Sequence, residues 1–131
     1  HKTGPAYSTG HIQHGCANAL YLPFVIRFNA KDEATTARYA LIARHLGLEG
    51  DSDAALVEAL CMKIDQYNTA LNIPHTLQEF GIVESEFLEK LDRVAELAVG
   101  DACTLANPRK ITPAEMAKLL KAAYYGSPVD F

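Results

Sequence analysis

The stretch His11-Ile12-Gln13-His14-Gly15-Cys16-Ala17-Asn18-Ala19-Leu20-Tyr21-Leu22-Pro23-Phe24-Val25-Ile26-Arg27-Phe28-Asn29-Ala30 decides the fold class. Its Ala17, Leu20, Tyr21, Phe24, Val25 and Phe28 recur three and four residues apart, the spacing that sets side chains on one face of an α-helix. A helix from about His14 to Phe28 is expected, kinked at Pro23, which has no amide proton to give the preceding turn. The apolar run from Ala17 to Ile26 contains Asn18 and Pro23 and stops at Arg27, well short of the roughly 20 apolar residues that cross a bilayer. The segment therefore reads as a core helix of a soluble domain.

Outward from it, helical spacing continues to the end of the chain. Asp32 is placed to cap a second helix that carries Tyr39, Leu41, Ile42 and Leu46 and stops at Gly47. Asp53 is placed to cap a third, through Leu56, Leu60, Ile64 and Leu71, stopped by Asn72 to Pro74. Thr76 and Glu79 have capping-box spacing for one short turn closed by Gly81. A further helix spans Glu84 to Val99, with Phe87, Leu88, Leu91, Val94, Ala95 and Ala98 inward and Gly100 at its end. Thr112-Pro113-Ala114-Glu115 sets an N-cap, an N1 proline and an N3 glutamate in register for a last helix through Met116, Leu119, Leu120 and Ala123 to Gly126. Between these two, Asp101 to Ile111 is irregular, and such loops carry function disproportionately. The expectation is an all-α helical bundle, one domain over residues 1–131 with 1–13 as an irregular N-terminal loop. Its expected core is Leu20, Phe24, Leu41, Leu60, Ile64, Leu88, Leu91, Leu119 and Leu120.

Composition narrows the partners. A chain of 131 residues that is 49% hydrophobic suffices for one core. The net charge is −4, and the 12 Lys and Arg residues are scattered among acidic neighbours, so no basic face is offered to nucleic acid. The N-terminus has no apolar segment that could serve as an export signal. Cys16, Cys61 and Cys103 are an odd set at wide spacing, read as reduced thiols of a cytoplasmic protein. The chain starts at His1, inside a Gly-rich stretch, which suggests a piece cut from a longer protein.

His11 and His14 stand three apart where the Gly-rich loop enters the first helix, a spacing that can chelate a borderline divalent cation. On spacing alone, two partly exposed polar residues at a helix start is the commoner reading. His45 sits at a helix C-terminus, where the dipole favours it, and His75 precedes a cap. For Cys103 two readings stay open, a pocket-lining thiol and a small buried hydrophobe.

The string from His11 to Ala30 closely resembles the iron-dependent (group III) alcohol dehydrogenases, whose signature runs H-G-x-A-N-A, then an apolar stretch often with a proline, then R-[FY]-N-A. Asn72-Ile73-Pro74, Gly81-Ile82, Asp101-Ala102-Cys103-Thr104-Leu105-Ala106-Asn107-Pro108-Arg109 and Ala123-Tyr124-Tyr125-Gly126 follow in the family's order. Nearly the whole chain is covered, and the pattern is nearest the alcohol dehydrogenase half of the fused aldehyde-alcohol dehydrogenases. The resemblance implies the family's helical, metal-binding C-terminal domain. It also implies a metal, Fe2+ or Zn2+, held by one Asp and three His, of which the last precedes the glycine of H-G-x-A-N-A; that position is His14. His1 matches a family histidine that serves in proton relay or substrate contact, although the loop from His1 to His14 is longer than the family's usual. His11 becomes a neighbour of the pocket, and Cys103 lines its nicotinamide end. Asn107 and Arg109 are expected to fix the loop, since Asn-Pro sets a turn and the arginine fork can bridge carbonyls.

What the resemblance implies for a complete enzyme is interconversion of a primary alcohol and an aldehyde by hydride transfer with NAD(P). The partners are then the alcohol or aldehyde and an N-terminal nucleotide-binding domain; a homo-oligomer is admitted, and neither nucleic acid nor membrane is expected. No G-x-G-x-x-G following a strand occurs here, so no cofactor-binding residue is assigned. The chain alone is accordingly expected to be inactive and to bind neither metal nor cofactor tightly. Two rival readings remain: a fragment of a complete dehydrogenase, and a free-standing helical module or truncated gene product without catalysis.

Overall fold

The computed structural model describes residue 3, residues 6–8 and residues 11–131. Six α-helices follow in chain order: α1 His14–Asn29, α2 Glu33–His45, α3 Asp53–Ala70, α4 Leu77–Phe80, α5 Glu84–Val99 and α6 Pro113–Tyr125. A 3-10 helix, Ala102–Ala106, lies in the segment expected to be irregular. Among the described residues there is no strand, and no helix is long and apolar enough to cross a membrane.

Helix α1 is the shared wall of two cores, which is why it is apolar nearly all round. Leu20, Phe24 and Phe28 pack with Phe87 and Leu91 of α5 and with Leu119, Leu120 and Tyr124 of α6. From its other side Ile26 meets Ala40 and Ala43 of α2 and Leu56, Val57, Leu60 and Cys61 of α3. The sequence places Pro23 inside α1, so the Ala19 carbonyl loses its intrahelical donor. The buried Asn68 of α3 replaces it, donating Nδ2–H to Ala19 O at 3.1 Å. Replacing Asn68 by Leu should cost about 1–3 kcal/mol, the penalty for an orphaned buried carbonyl, read as a lower urea midpoint at constant slope. An unchanged midpoint would show that Ala19 O finds water instead.

The caps follow the local chemistry. Asp32 accepts from Thr35 N, and Thr112 and Glu115 close a reciprocal capping box with Pro113 in the first turn. The Thr112 amide holds the Glu115 carboxyl below its usual range. Gly47 adopts φ +73°, with Gly47 N bonded to Arg44 O and Leu48 N to Ala43 O. Asn72 does the same work for α3 at φ 55°, the one non-glycine left-handed residue among those described.

Several expectations are corrected. Leu41 is 67% exposed and Leu88 45% exposed, and Ile64 is half-buried. The face that α2 turns to α3 is made of Ala40 and Ala43, both fully buried; small residues allow close approach, and Leu41 lies ~100° farther round the helix. On α5 the inward position is Phe87, which leaves the adjacent Leu88 at the rim. The N-cap of α3 is Ser52, whose side chain accepts from Ala55 N; Asp53 is the first helical residue, and its carboxylate takes Arg44 Nη2 at 2.7 Å. Thr76 caps α4 through Glu79 N, but the Glu79 carboxylate accepts from His75 N, not from the cap residue.

Candidate metal and substrate site

His14 is the first residue of α1, and its side chain is exposed. One turn on, Asn18 Nδ2 lies 3.3 Å from His14 Nδ1. With the amide turned by 180°, its oxygen accepts from Nδ1–H, which fixes the tautomer that ligates through Nε2. Unlike α2, α3, α4 and α6, this helix begins without a side-chain cap or an acidic first turn. Among the described residues its first turn holds no side-chain cap or carboxylate to offset the positive helix end. His11 is exposed just before the helix, and His1 lies outside the described residues. Among the described residues no three His, Cys, Asp or Glu side chains are grouped as a metal site requires.

The loop carrying Cys103 is fixed at both ends. Thr104 Oγ1 donates to Ala98 O at 2.6 Å, and Asp101 accepts from Cys103 N at 2.9 Å. At the far end the amides of Asn29 and Asn107 exchange hydrogen bonds of 3.0 and 2.8 Å. The Arg109 guanidinium stacks 3.9 Å over the Phe28 ring while its Nη1 donates to Phe28 O and Phe131 O at 2.8 and 2.9 Å. The arginine thus bridges carbonyls as its fork of donors allows, tying the loop to the C-terminus of α1. Asn29 and Asn107 stand 78 residues apart in the chain, and nothing in local spacing signals their pairing.

Cys103 is exposed, which removes the buried-hydrophobe reading, and it lines a groove between α1, its own loop and α6. The groove comprises adjoining cavities of about 220 and 210 Å³ that share Val25, Cys103, Thr104, Met116 and Leu119. Asn18, the partner of His14, lines the first. Thr3 and Tyr21 line it too, with buried hydroxyl oxygens. Burial pushes the Tyr21 phenol above its ordinary range, with a hydrogen bond to the Thr3 hydroxyl pulling the other way. By contrast Cys61, fully buried against α1, has its thiol pushed up to about 11 by desolvation, so it is an inert core residue. A larger cavity, about 500 Å³ beside α1, is bordered by Arg27, paired with Glu58 at 3.0 Å, and by His75, which lies 3.6 Å from Asp65.

The sequence model described as "Fe-containing alcohol dehydrogenase family, C-terminal" matches residues 1–124. The chain belongs to this family. It is 47% identical over its full length to the NADPH-dependent butanol dehydrogenase of Clostridium saccharobutylicum. It is 41% identical, over 96% of its length, to the bifunctional aldehyde-alcohol dehydrogenase AdhE of Escherichia coli K12. The crystal structure of a 1,3-propanediol oxidoreductase superposes with a TM-score of 0.79 at 30% identity, covering 95% of this chain. The chain spans 32%, 16% and 31% of those three proteins respectively, so most of each relative has no counterpart in it. The iron-alcohol-dehydrogenase resemblance and the all-helical architecture both hold.

Proposed function

We propose that this chain is the metal-binding helical part of an NAD(P)-dependent alcohol dehydrogenase that interconverts a primary alcohol and an aldehyde. The observation that carries the reading is the exposed imidazole of His14 at the start of α1, next to Asn18, which lines an apolar groove, and in the position of the family's last metal ligand. An exposed imidazole suits Fe2+ or Zn2+ as one donor of a shared set; the remaining Asp and His ligands of the family pattern would come from sequence that this chain does not contain. When bound, the divalent ion supplies Lewis-acid polarisation of the substrate oxygen. His14 holds its share of that ion, and Asn18 orients the ring. The uncapped amides of the first turn of α1 favour negative charge developing nearby. Cys103 and its tethered loop wall the groove and exclude water. His1 is assigned to the proton relay, with His11 beside the pocket.

Nothing in the described residues offers a nest for a pyrophosphate, so calorimetric titration of the isolated chain with NAD and NADP is expected to be flat. The complete enzyme should oxidise a primary alcohol with one of the two and lose that activity on chelation. A one-to-one isotherm with the isolated chain, or full activity in a chelator-treated enzyme shown to be metal-free, would overturn the reading.

A further inference from the structure

We infer that Glu86 and Lys90 of α5 are positioning residues, which clamp the loop at Ala6 to Ser8 and so hold in place the segment that carries the proposed relay residue His1 and its pocket neighbour His11; this rests on the proposed dehydrogenase reading. The inference starts from one carboxylate oxygen. Glu86 Oε1 accepts from Ser8 N at 2.7 Å, from Ser8 Oγ at 2.8 Å and from Lys90 Nζ at 2.6 Å. Lys90 sends a further bond from the same ammonium to Ala6 O at 2.8 Å. Between these two residues Phe87 turns to the core, and the buried Tyr7 ring packs against it with centroids 6.3 Å apart. Three consecutive loop residues are thus held by α5 in three ways, Ala6 by its carbonyl, Tyr7 by its ring and Ser8 by its amide and hydroxyl.

A glutamate and a lysine one turn apart are commonly no more than a solvated ion pair on a helix face. Here the Glu86 side chain is only 13% exposed, and both partners bond to residues 78 and 84 positions away in the chain. Bonds to a charged and mostly covered carboxylate are stronger than those between neutral groups. The same loop is tied to α1 on either side of the clamp. Thr3 is buried with its hydroxyl bonded to that of Tyr21, and Ala6 N returns to Thr3 O at 3.1 Å. Ile12 enters the core just before α1 begins. In the sequence His1 stands two residues before the Thr3 tie, and His11 stands between the Ser8 and Ile12 ties. Misplacing a reacting group by about 1 Å can cost about a hundredfold in rate, so release of the loop from α5 reaches turnover while His14, on α1 itself, keeps its place.

The test reads amide hydrogen exchange in the 131-residue chain, and turnover of butanol with metal content in the complete enzyme. In Glu86→Ala the Ser8 and Ala6 amides should exchange about 10- to 100-fold faster, the effect of losing charge-assisted bonds, while amides in the middle of α1 keep their rates. In the enzyme kcat should fall about tenfold at unchanged metal content. Glu86→Gln keeps an acceptor oxygen for Ser8 N and Oγ and should recover most of both effects. Glu89→Ala takes the same charge from an exposed position of α5 and should change neither. Unaltered Ser8 exchange in Glu86→Ala overturns the clamp. Faster exchange with unaltered kcat, a loss of kcat that follows loss of metal, or an equal loss in Glu86→Gln overturns the positioning role. If the wild-type enzyme oxidises no alcohol, the dehydrogenase reading falls and takes the positioning role with it, while the exchange rates still decide whether Glu86 clamps the loop.

Discussion

Replacing His14 by Ala in the complete enzyme should remove most of its bound metal and lower aldehyde reduction by at least about a hundredfold, ~3 kcal/mol of barrier. The loss follows from taking one of four expected protein donors from an ion whose value is charge stabilisation at the substrate oxygen. Asn18→Leu should weaken metal binding by about 10- to 100-fold, the usual cost of losing an orienting partner. Asn18→Asp should largely restore it, because a carboxylate accepts from Nδ1–H as the amide oxygen does. Metal content and rate are measured on the same samples. In the isolated chain, His14→Ala should move stability by no more than about 0.5 kcal/mol, since the side chain is exposed. A variant enzyme that keeps both its metal and its rate would refute the ligand assignment, and a large loss of fold stability would show that the effect is structural.

Phe87→Ala should destabilise the domain by about 3–5 kcal/mol. The ring is fully buried and stacks on Tyr124 with centroids 4.3 Å apart at 17°, while Tyr7 packs against it at 6.3 Å. Its removal leaves a void at the junction of α5 and α6 that the stacked Tyr124 cannot fill, because the Tyr124 hydroxyl is anchored to Ile82 O at 2.8 Å. Against a total stability of about 5–15 kcal/mol for a domain, such a loss leaves a measurable unfolded fraction near physiological temperature. The neighbouring Leu88→Ala should cost less than about 1 kcal/mol, since Leu88 is 45% exposed. Urea titration of the two variants compares adjacent positions of one helix. Equal losses, or a larger one for Leu88, would mean that α5 is rotated about its axis so that Leu88 and not Phe87 faces the core.

The adjacent pair shows where sequence reading reaches its limit. Apolar periodicity established α5 and α6, and local chemistry located their ends: Thr112, Pro113 and Glu115 meet within four residues, so a cap can be read without knowing the fold. The same holds for Gly47, Gly81 and Gly126, which end helices in left-handed conformations. Periodicity does not say how large a residue the facing helix admits. Ala40 and Ala43, not Leu41, form the contact of α2 because α3 approaches closely.

The site divides along the same line. Sequence by itself determined the helical class, the placement of His14 at a helix start and the family resemblance, all of which depend on residues adjacent or one turn apart. The pairing of Asn29 with Asn107, the stacking of Arg109 on Phe28, the donation of Asn68 to the carbonyl freed by Pro23 and the groove between α1 and α6 were decided only by tertiary structure. Each joins groups from distant parts of the chain, and which distant groups meet is set by how whole helices pack, a property that no local spacing encodes.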